Sequence, residues 1–389
     1  MSKDLYFATE GRFVKRDNKY YSLGGFTNEL WGNYLPFFNH IYVFARVSHD
    51  SSIPVSESNL ASSDRISFIE LPYYVGVAEY LKVRKQLRKN IYNAINPDGV
   101  YLLRLPGTIG GIVIDFLRKR NIDYYCEVVG DPWGVFSKGS IKGPLRIFLR
   151  YYSTYKLKQN VKNSKGALYV TNAYLQRMYP VKEGALSVGA SDIQLEDQDF
   201  VSSPKHFNSK QKEYSIISVG SLAQMYKSPD VVIKAIKRLN ESNIRIKLIW
   251  VGDGVFKEDM INYSGKLGIK DQVNFVGGVP HSEVVNYLKV SDFFILASRT
   301  EGLPRAMVEA MAQGMPCIGT KVGGIPELID KEVIVHPNSV EDIVIVIKRL
   351  VNDPEFANSQ AKRNLQESFN YKRVILSEKR NSFYHSICE

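Results

Sequence analysis

Short apolar runs separated by helix-like segments dominate the second half of the chain. They fall at 216–219, 246–251, 273–276, 293–296, 316–319 and 333–335. Most are continuous rather than alternating apolar and polar, as strands buried on both faces are. Between them, 230–239, 282–288, 305–312 and 340–350 read as helices, several with apolar residues at three- and four-residue spacing, among them Val231, Ile233, Ala235 and Ile236. Strand–helix alternation of this kind predicts a parallel sheet covered on both faces, with right-handed crossovers. The first half repeats the theme less regularly. Strands are predicted at 5–8, 41–44, 66–69, 101–103, 124–129 and 167–170, and helices at 75–95, 110–119 and 144–161. The polar stretch 196–212, with Ser202-Ser203-Pro204 inside it, reads as a linker. The expectation is an α/β protein of two Rossmann-like domains, 1–200 and 213–369, with parallel sheets facing an interdomain cleft. A helix at about 370–389 is expected to pack back on the first domain. Ligands of such sheets bind beyond the carboxyl ends of the strands, so the chemistry belongs in the loops after them.

Composition narrows the class. The 389 residues are 44% hydrophobic and 23% charged, as in globular proteins. No apolar run nears the roughly 20 residues that span a bilayer, and the start, Met1 to Tyr6, lacks the pattern of a secretory signal. Cys126, Cys317 and Cys388 show neither metal spacing nor a disulfide framework, so reduced thiols in a cytoplasmic protein are expected. The net charge of +11 is uneven: residues 81–165 hold 17 Lys and Arg against 5 Asp and Glu, a net of +12. Such a segment attracts nucleic acid, anionic lipid or phosphorylated substrates, or simply aids solubility.

The loop after the 293–296 run reads Ala297-Ser298-Arg299-Thr300-Glu301-Gly302-Leu303-Pro304, and a helix starts at Pro304 or Arg305. A helix start beyond a buried strand offers free N–H groups to an anion, and Gly302 permits close approach of backbone to ligand. Glu309 follows Glu301 by eight residues. Two carboxylates at different depths suit a polyhydroxylated ligand, although a helix-start glutamate and a solvated helix glutamate would look the same. Further glycine turns follow other strands, at Gly252-Asp253-Gly254, Gly277-Gly278 and Gly323-Gly324-Ile325-Pro326-Glu327.

Together these segments resemble the retaining glycosyltransferases of family 4, the glycosyl transferases group 1, which have the two-domain GT-B fold and serve bacterial capsule and O-antigen assembly. Glu301 to Pro316 resembles the family's paired-glutamate segment, and Val322 to Glu327 continues it. Val219-Gly220-Ser221-Leu222 followed by Lys227-Ser228-Pro229-Asp230 resembles its phosphate-binding loop. Trp250 to Gly254, Phe275 to Val279 and the Gly24-Gly25 turn also fit. The resemblance is specific from about 216 to 329. It implies that 1–200 binds the acceptor and 213–369 the nucleotide-sugar donor, with no other cofactor. In it, Glu301 contacts the transferred sugar, aided by the N–H groups of Gly302 and Leu303. Glu309 binds the ribose, Lys227 the diphosphate, and the Val279 backbone the base. Gly25, Gly220, Ser221 and Gly252 complete the donor site. Ser221 stands where many members carry Arg, so Arg299 or Arg305 is expected to supply the missing cation. Asp131 stands near a position where members often carry His; it either faces the acceptor as a catalytic group or is a turn or capping aspartate.

The implied reaction is a metal-independent transfer, with retention, from a UDP-sugar (GDP-sugar being possible) to a glycan or polyprenyl-diphosphate-linked acceptor. The stretch KGPLRIFLRYYSTYKLK, residues 142–158, mixes basic with apolar and aromatic positions. It fits peripheral docking on an anionic membrane surface at the inner face of the cytoplasmic membrane, as well as an ordinary domain helix. Two rival classes remain open here. A nucleotide-sugar 2-epimerase shares the fold. A nucleic-acid-binding protein shares the charge, but no recognisable motif supports it, and no nucleic-acid partner is expected.

Overall fold

A computed structural model describes residues 3–135, 146–209 and 211–389. The first half builds a sheet from Leu5–Arg16 (β1), Lys19–Ser22 (β2), Ile41–Ser48 (β3), Ile66–Pro72 (β4), Val100–Leu105 (β5), Tyr125–Val128 (β6), Gly166–Tyr169 (β7) and Leu186–Gly189 (β8). Its order is β4-β3-β1-β5-β6-β7-β8, all parallel, with β2 antiparallel on β1. The strand predicted at 5–8 is thus extended. Its register on β3 shifts between Ala8 and Arg12, and the chain then turns back through Asp17 and Asn18, both at positive φ. That turn matches the twist of a hairpin. The charged residues between Glu10 and Arg16 hide this extension in the sequence.

The second half builds Glu213–Val219 (β9), Arg245–Val251 (β10), Val273–Gly277 (β11), Phe293–Leu296 (β12), Cys317–Thr320 (β13) and Ile334–Val335 (β14). The sheet is parallel, in the order β11-β10-β9-β12-β13-β14. The order reverses between β9 and β12. Loops leaving two adjacent strands in opposite directions open a crevice at their carboxyl ends, where α/β ligands bind.

Burial explains both sheets. All four residues of β12 are buried. In β1, Leu5 and Phe7 pack into one core while Tyr6 and Ala8 pack into another on the opposite face, as the two-residue side-chain period requires. The helix Pro229–Glu241 starts on a proline at its first position and buries Val232, Ile233, Ala235, Ile236 and Leu239. The predicted helix 75–95 is Gly76–Asn93, in which only Leu87 and Ile91 are buried. The predicted helix 144–161 is Arg146–Lys162; its first two predicted residues lie outside the described residues.

The 196–212 linker is bound to the second sheet's layers. Val201 N–H donates to Ala312 O at 3.1 Å, Lys205 N–H donates to Gly314 O at 3.0 Å, and Phe207 is buried. The last helix, Arg373–Cys388, lies against the first sheet's elements. The Tyr384 ring sits 4.9 Å from that of Tyr34, and Phe383 sits 6.2 Å from Tyr125. Among the described residues no helix is long and apolar enough to cross a membrane.

Candidate active site

The crevice between β9 and β12 brings together two residues 74 apart in sequence. Lys227 ends the loop after β9 and Glu301 lies in the loop after β12. Lys227 Nζ donates to Glu301 Oε1 at 2.6 Å, and the side chains are only 11% and 9% exposed. Ser298 Oγ donates to the same oxygen at 2.5 Å. The stem of Lys227 lies along Gly220, where an added Cβ would come within 3.1 Å of it. The two loops are also stitched through Arg299. Its N–H donates to Tyr226 O at 2.7 Å, and its guanidinium donates to Met225 O, to Asn338 Oδ1 at 2.7 Å and to Asp230 Oδ2 at 3.2 Å. Arg299, one of the two cations expected to replace the arginine absent at Ser221, thus has its guanidinium engaged in holding the loops. Arg305 is exposed and lines a cavity instead.

Glu309 and Glu301, expected at different depths, line different cavities. Glu309 lines a space of about 640 Å³ with Gly25, Arg305, His281, Arg104, Asp192 and Arg380 among its other walls. Glu301 and Gly302 line a second space of about 240 Å³ with Asp131, Gly130, Gln224, Tyr226 and Thr300. The two halves of the molecule meet at Gly302. A Cβ there would lie 2.5 Å from the Val129 carbonyl oxygen, so this glycine admits the opposite domain's backbone.

The remaining expected residues divide between loop packing and cavity wall. Gly252, at φ 140°, donates its N–H to Gly277 O at 2.8 Å, and a Cβ would run into the Gly220 carbonyl. Ser221 is exposed; its Oγ donates to Asp253 O at 3.2 Å and accepts from Ala223 N–H at 3.1 Å. Val279 is half-buried between β11 and the helix His281–Val290 and lines neither cavity. Leu303 is buried and lines neither. Asp131 reaches the small cavity's wall, but its carboxylate is already engaged. It accepts from Tyr174 Oη at 2.7 Å, from Trp133 N–H at 2.8 Å and from Tyr179 Oη. The Trp133 contact is a turn bond, and the two tyrosine hydroxyls engage the rest of the carboxylate.

Several wall residues carry no signal that sequence reasoning used. Arg104 donates to Glu127 Oε2 at 2.7 Å and to Asp192 Oδ2 at 2.9 Å. Burial pushes the Asp192 carboxyl up, but the guanidinium groups of Arg104, Arg305 and Arg380 outweigh it and hold the group below the usual range. His281 Nε2 lies 3.6 Å from Glu309 Oε1. The Glu309 carboxylate beside it raises the imidazole above its ordinary value, against a smaller opposing effect of burial. Arg104 sits near the end of β5, beside the first sheet's own switch point, where the strand-end rule could have found it. His281 and Arg380 come from helices distant in sequence.

Residues 200–367 match the family model described as glycosyl transferases group 1. The match covers 168 of the 389 residues, in the half that carries Lys227, Glu301 and Glu309. The chain is 28% identical to Protein CapJ of Staphylococcus aureus over 94% of its own length and 91% of that protein's. It is 29% identical to the UDP-Gal:alpha-D-GlcNAc-diphosphoundecaprenol alpha-1,3-galactosyltransferase of Escherichia coli, over 37% of this chain and 38% of that one. In fold it is similar to sucrose-phosphate synthase from Thermosynechococcus elongatus, with a TM-score of 0.72, 16% identity and 99% of each chain covered. The chain thus has the GT-B architecture.

Proposed function

We propose that this glycosyltransferase moves a sugar from a UDP-sugar, with retention and without a metal, to a glycan or polyprenyl-diphosphate-linked acceptor in bacterial surface polysaccharide synthesis. The Lys227–Glu301 pair at the β9/β12 switch point carries this reading. In the donor complex the ammonium of Lys227 turns to the diphosphate, and Glu301 turns to the sugar hydroxyls. The departing diphosphate develops negative charge, and a preorganised cation in a water-poor crevice stabilises it. Glu309 and Gly25 place the nucleoside in the larger cavity, with Arg305 as the second cation. The sugar lies in the smaller cavity beside Glu301 and Gly302, with Asp131 holding the opposite wall. The printed name of the E. coli relative, with UDP-Gal as donor and a diphosphoundecaprenol acceptor, supports the choice of UDP and of a lipid-linked acceptor.

The acceptor class also fits the surface of the first domain. The helix Arg146–Lys162 exposes Ile147, Phe148, Tyr151, Tyr152 and Tyr155, and its sequence interleaves Arg146, Arg150, Lys156, Lys158 and Lys162. Aromatic and basic side chains on one helix suit the headgroup region of an anionic bilayer. Residues 142–145 of the predicted docking stretch lie outside the described residues. The protein is placed by this reading at the inner face of the cytoplasmic membrane. The deciding experiment is a screen of nucleotide-sugars that reads nucleoside diphosphate release, with mass spectrometry of an undecaprenyl-diphosphate-linked product. Transfer from a UDP-sugar is the expected result. Epimerisation of the donor in the absence of acceptor would overturn it.

A further inference from the structure

Glu327 ends the Gly-Gly-Ile-Pro-Glu turn after β13, and its side chain crosses to the other domain. It accepts from three consecutive backbone N–H groups: Asn172 at 2.8 Å, Ala173 at 3.2 Å, and Tyr174. Those residues open the short helix Tyr174–Met178 of the first domain. Both ends of this bridge reach the small cavity. On the second-domain side, Gly324 N–H donates to Gly302 O at 2.6 Å, tying the turn to the loop that carries Glu301. On the first-domain side, Tyr174 Oη donates to Asp131 Oδ2 at 2.7 Å. Glu301, Gly302 and Asp131 line the same 240 Å³ space.

We propose that Glu327 is a positioning residue that clasps the two domains and fixes the distance between the walls of the small cavity. A carboxylate facing three converging N–H groups forms charge-assisted hydrogen bonds, which are shorter and stronger than neutral ones. A glutamine cannot replace it, because the amide presents one acceptor oxygen and turns donors toward donors. The clasp differs from a packing contact in that it joins two walls otherwise borne by separate sheets. Releasing it lets Asp131 and Glu301 move apart without disturbing either core. Misplacement of about an ångström at a reacting centre is enough to lower turnover on the order of a hundredfold.

The test has two arms, both on the full chain. Spin labels at Val77→Cys and Val290→Cys, exposed positions of the two domains, in a Cys388→Ser background, report the interdomain distance. The expected result is a narrow distribution that widens in both Glu327→Ala and Glu327→Gln. A distribution unchanged by either substitution overturns the clasp. In the second arm, sugar transfer by the same two variants is measured at saturating donor. The fall expected in kcat is at least about tenfold, with donor KM changing much less, because the donor's own ligands remain. Wild-type kcat in folded Glu327→Ala also overturns the proposal, as does a fall matched by loss of folded protein. The kinetic arm rests on the transferase reading and the distance arm does not. Should no donor be consumed by the wild-type protein, that reading fails and the distance result alone decides the clasp.

Discussion

At the scale of single residues, the site rests on a lysine and a glutamate that satisfy each other. A nearly buried charge pair has given up most of its hydration, so removing one partner strands the other. Lys227→Ala is therefore expected to lower turnover by at least about a hundredfold and to destabilise the protein by roughly 3 kcal/mol, read as nucleoside diphosphate release and as urea unfolding. Lys227→Met/Glu301→Met, which removes both charges, should recover much of the stability and none of the activity. Wild-type turnover in Lys227→Ala or in Glu301→Ala would refute the assignment. His281 gives a prediction with a definite sign. Its folded-state pKa is raised by Glu309, so the stabilisation it contributes is full below the unfolded value of about 6.5 and disappears as pH climbs through the folded value. Because the imidazole side chain is 60% exposed, the effect is only a few tenths of a kcal/mol. His281→Gln should lower the urea midpoint at pH 5.5 and leave it unchanged at pH 9.

At the scale of elements, the strand-end loops do the positioning. The sequence marks them through buried runs followed by glycines; Gly302 was read as letting backbone approach a ligand, and the structure sets the Val129 carbonyl there. Which backbone approaches was not legible, because the Val129 carbonyl belongs to a loop 173 positions away. Gly302→Ala is expected to push the walls apart, cutting kcat at least about tenfold, since overpacking a tight contact costs about 1–3 kcal/mol. A wild-type rate in this variant would show that the contact is dispensable. The helix Arg146–Lys162 is the second element with a testable role. Its exposed rings Phe148 and Tyr152 stack at 5.9 Å. Replacing both with Ser should reduce sedimentation with phosphatidylglycerol vesicles at least about tenfold, since each loses roughly 1.5–3 kcal/mol of burial. Sedimentation unaffected by the change would remove this helix from the membrane surface.

At the scale of the whole molecule, the second half supplies the strand-end loops with Lys227 and Glu301 and the first half supplies the facing wall, and the chain crosses between them twice. The linker is fastened beside Ala312 and Gly314, and the last helix returns to Tyr34 and Tyr125. Arg380 on that helix donates to Ala190 O at 3.2 Å and also lines the larger cavity. Ending the chain at Phe369 would remove Leu376, Phe383, Tyr384 and Ile387, all buried, and uncover the apolar surface they pack on, including Tyr34 and Tyr125. At roughly 1.5–3 kcal/mol for each apolar side chain, the lost burial is comparable to a typical domain's whole net stability. The truncated protein is expected to lack a cooperative thermal transition; a transition at the wild-type temperature would contradict that.

The sequence by itself determined the parallel sheets, the crevice loops and the identities of Lys227, Glu301 and Glu309. Burial on both faces of a strand and glycine turns are local demands, written in consecutive residues. It did not reveal the strand Leu186–Gly189, whose four residues are all partly or wholly exposed, or the extension of β1 through charged residues. Tertiary structure alone decided that Glu301 and Glu309 open into separate cavities. It also decided that Arg299 is consumed in holding two loops, that Asp131 is held by two tyrosines, and that Glu327 reaches the other domain. Each of these outcomes depends on which distant backbone comes to lie against a side chain, and the spacing of residues along one segment does not fix that.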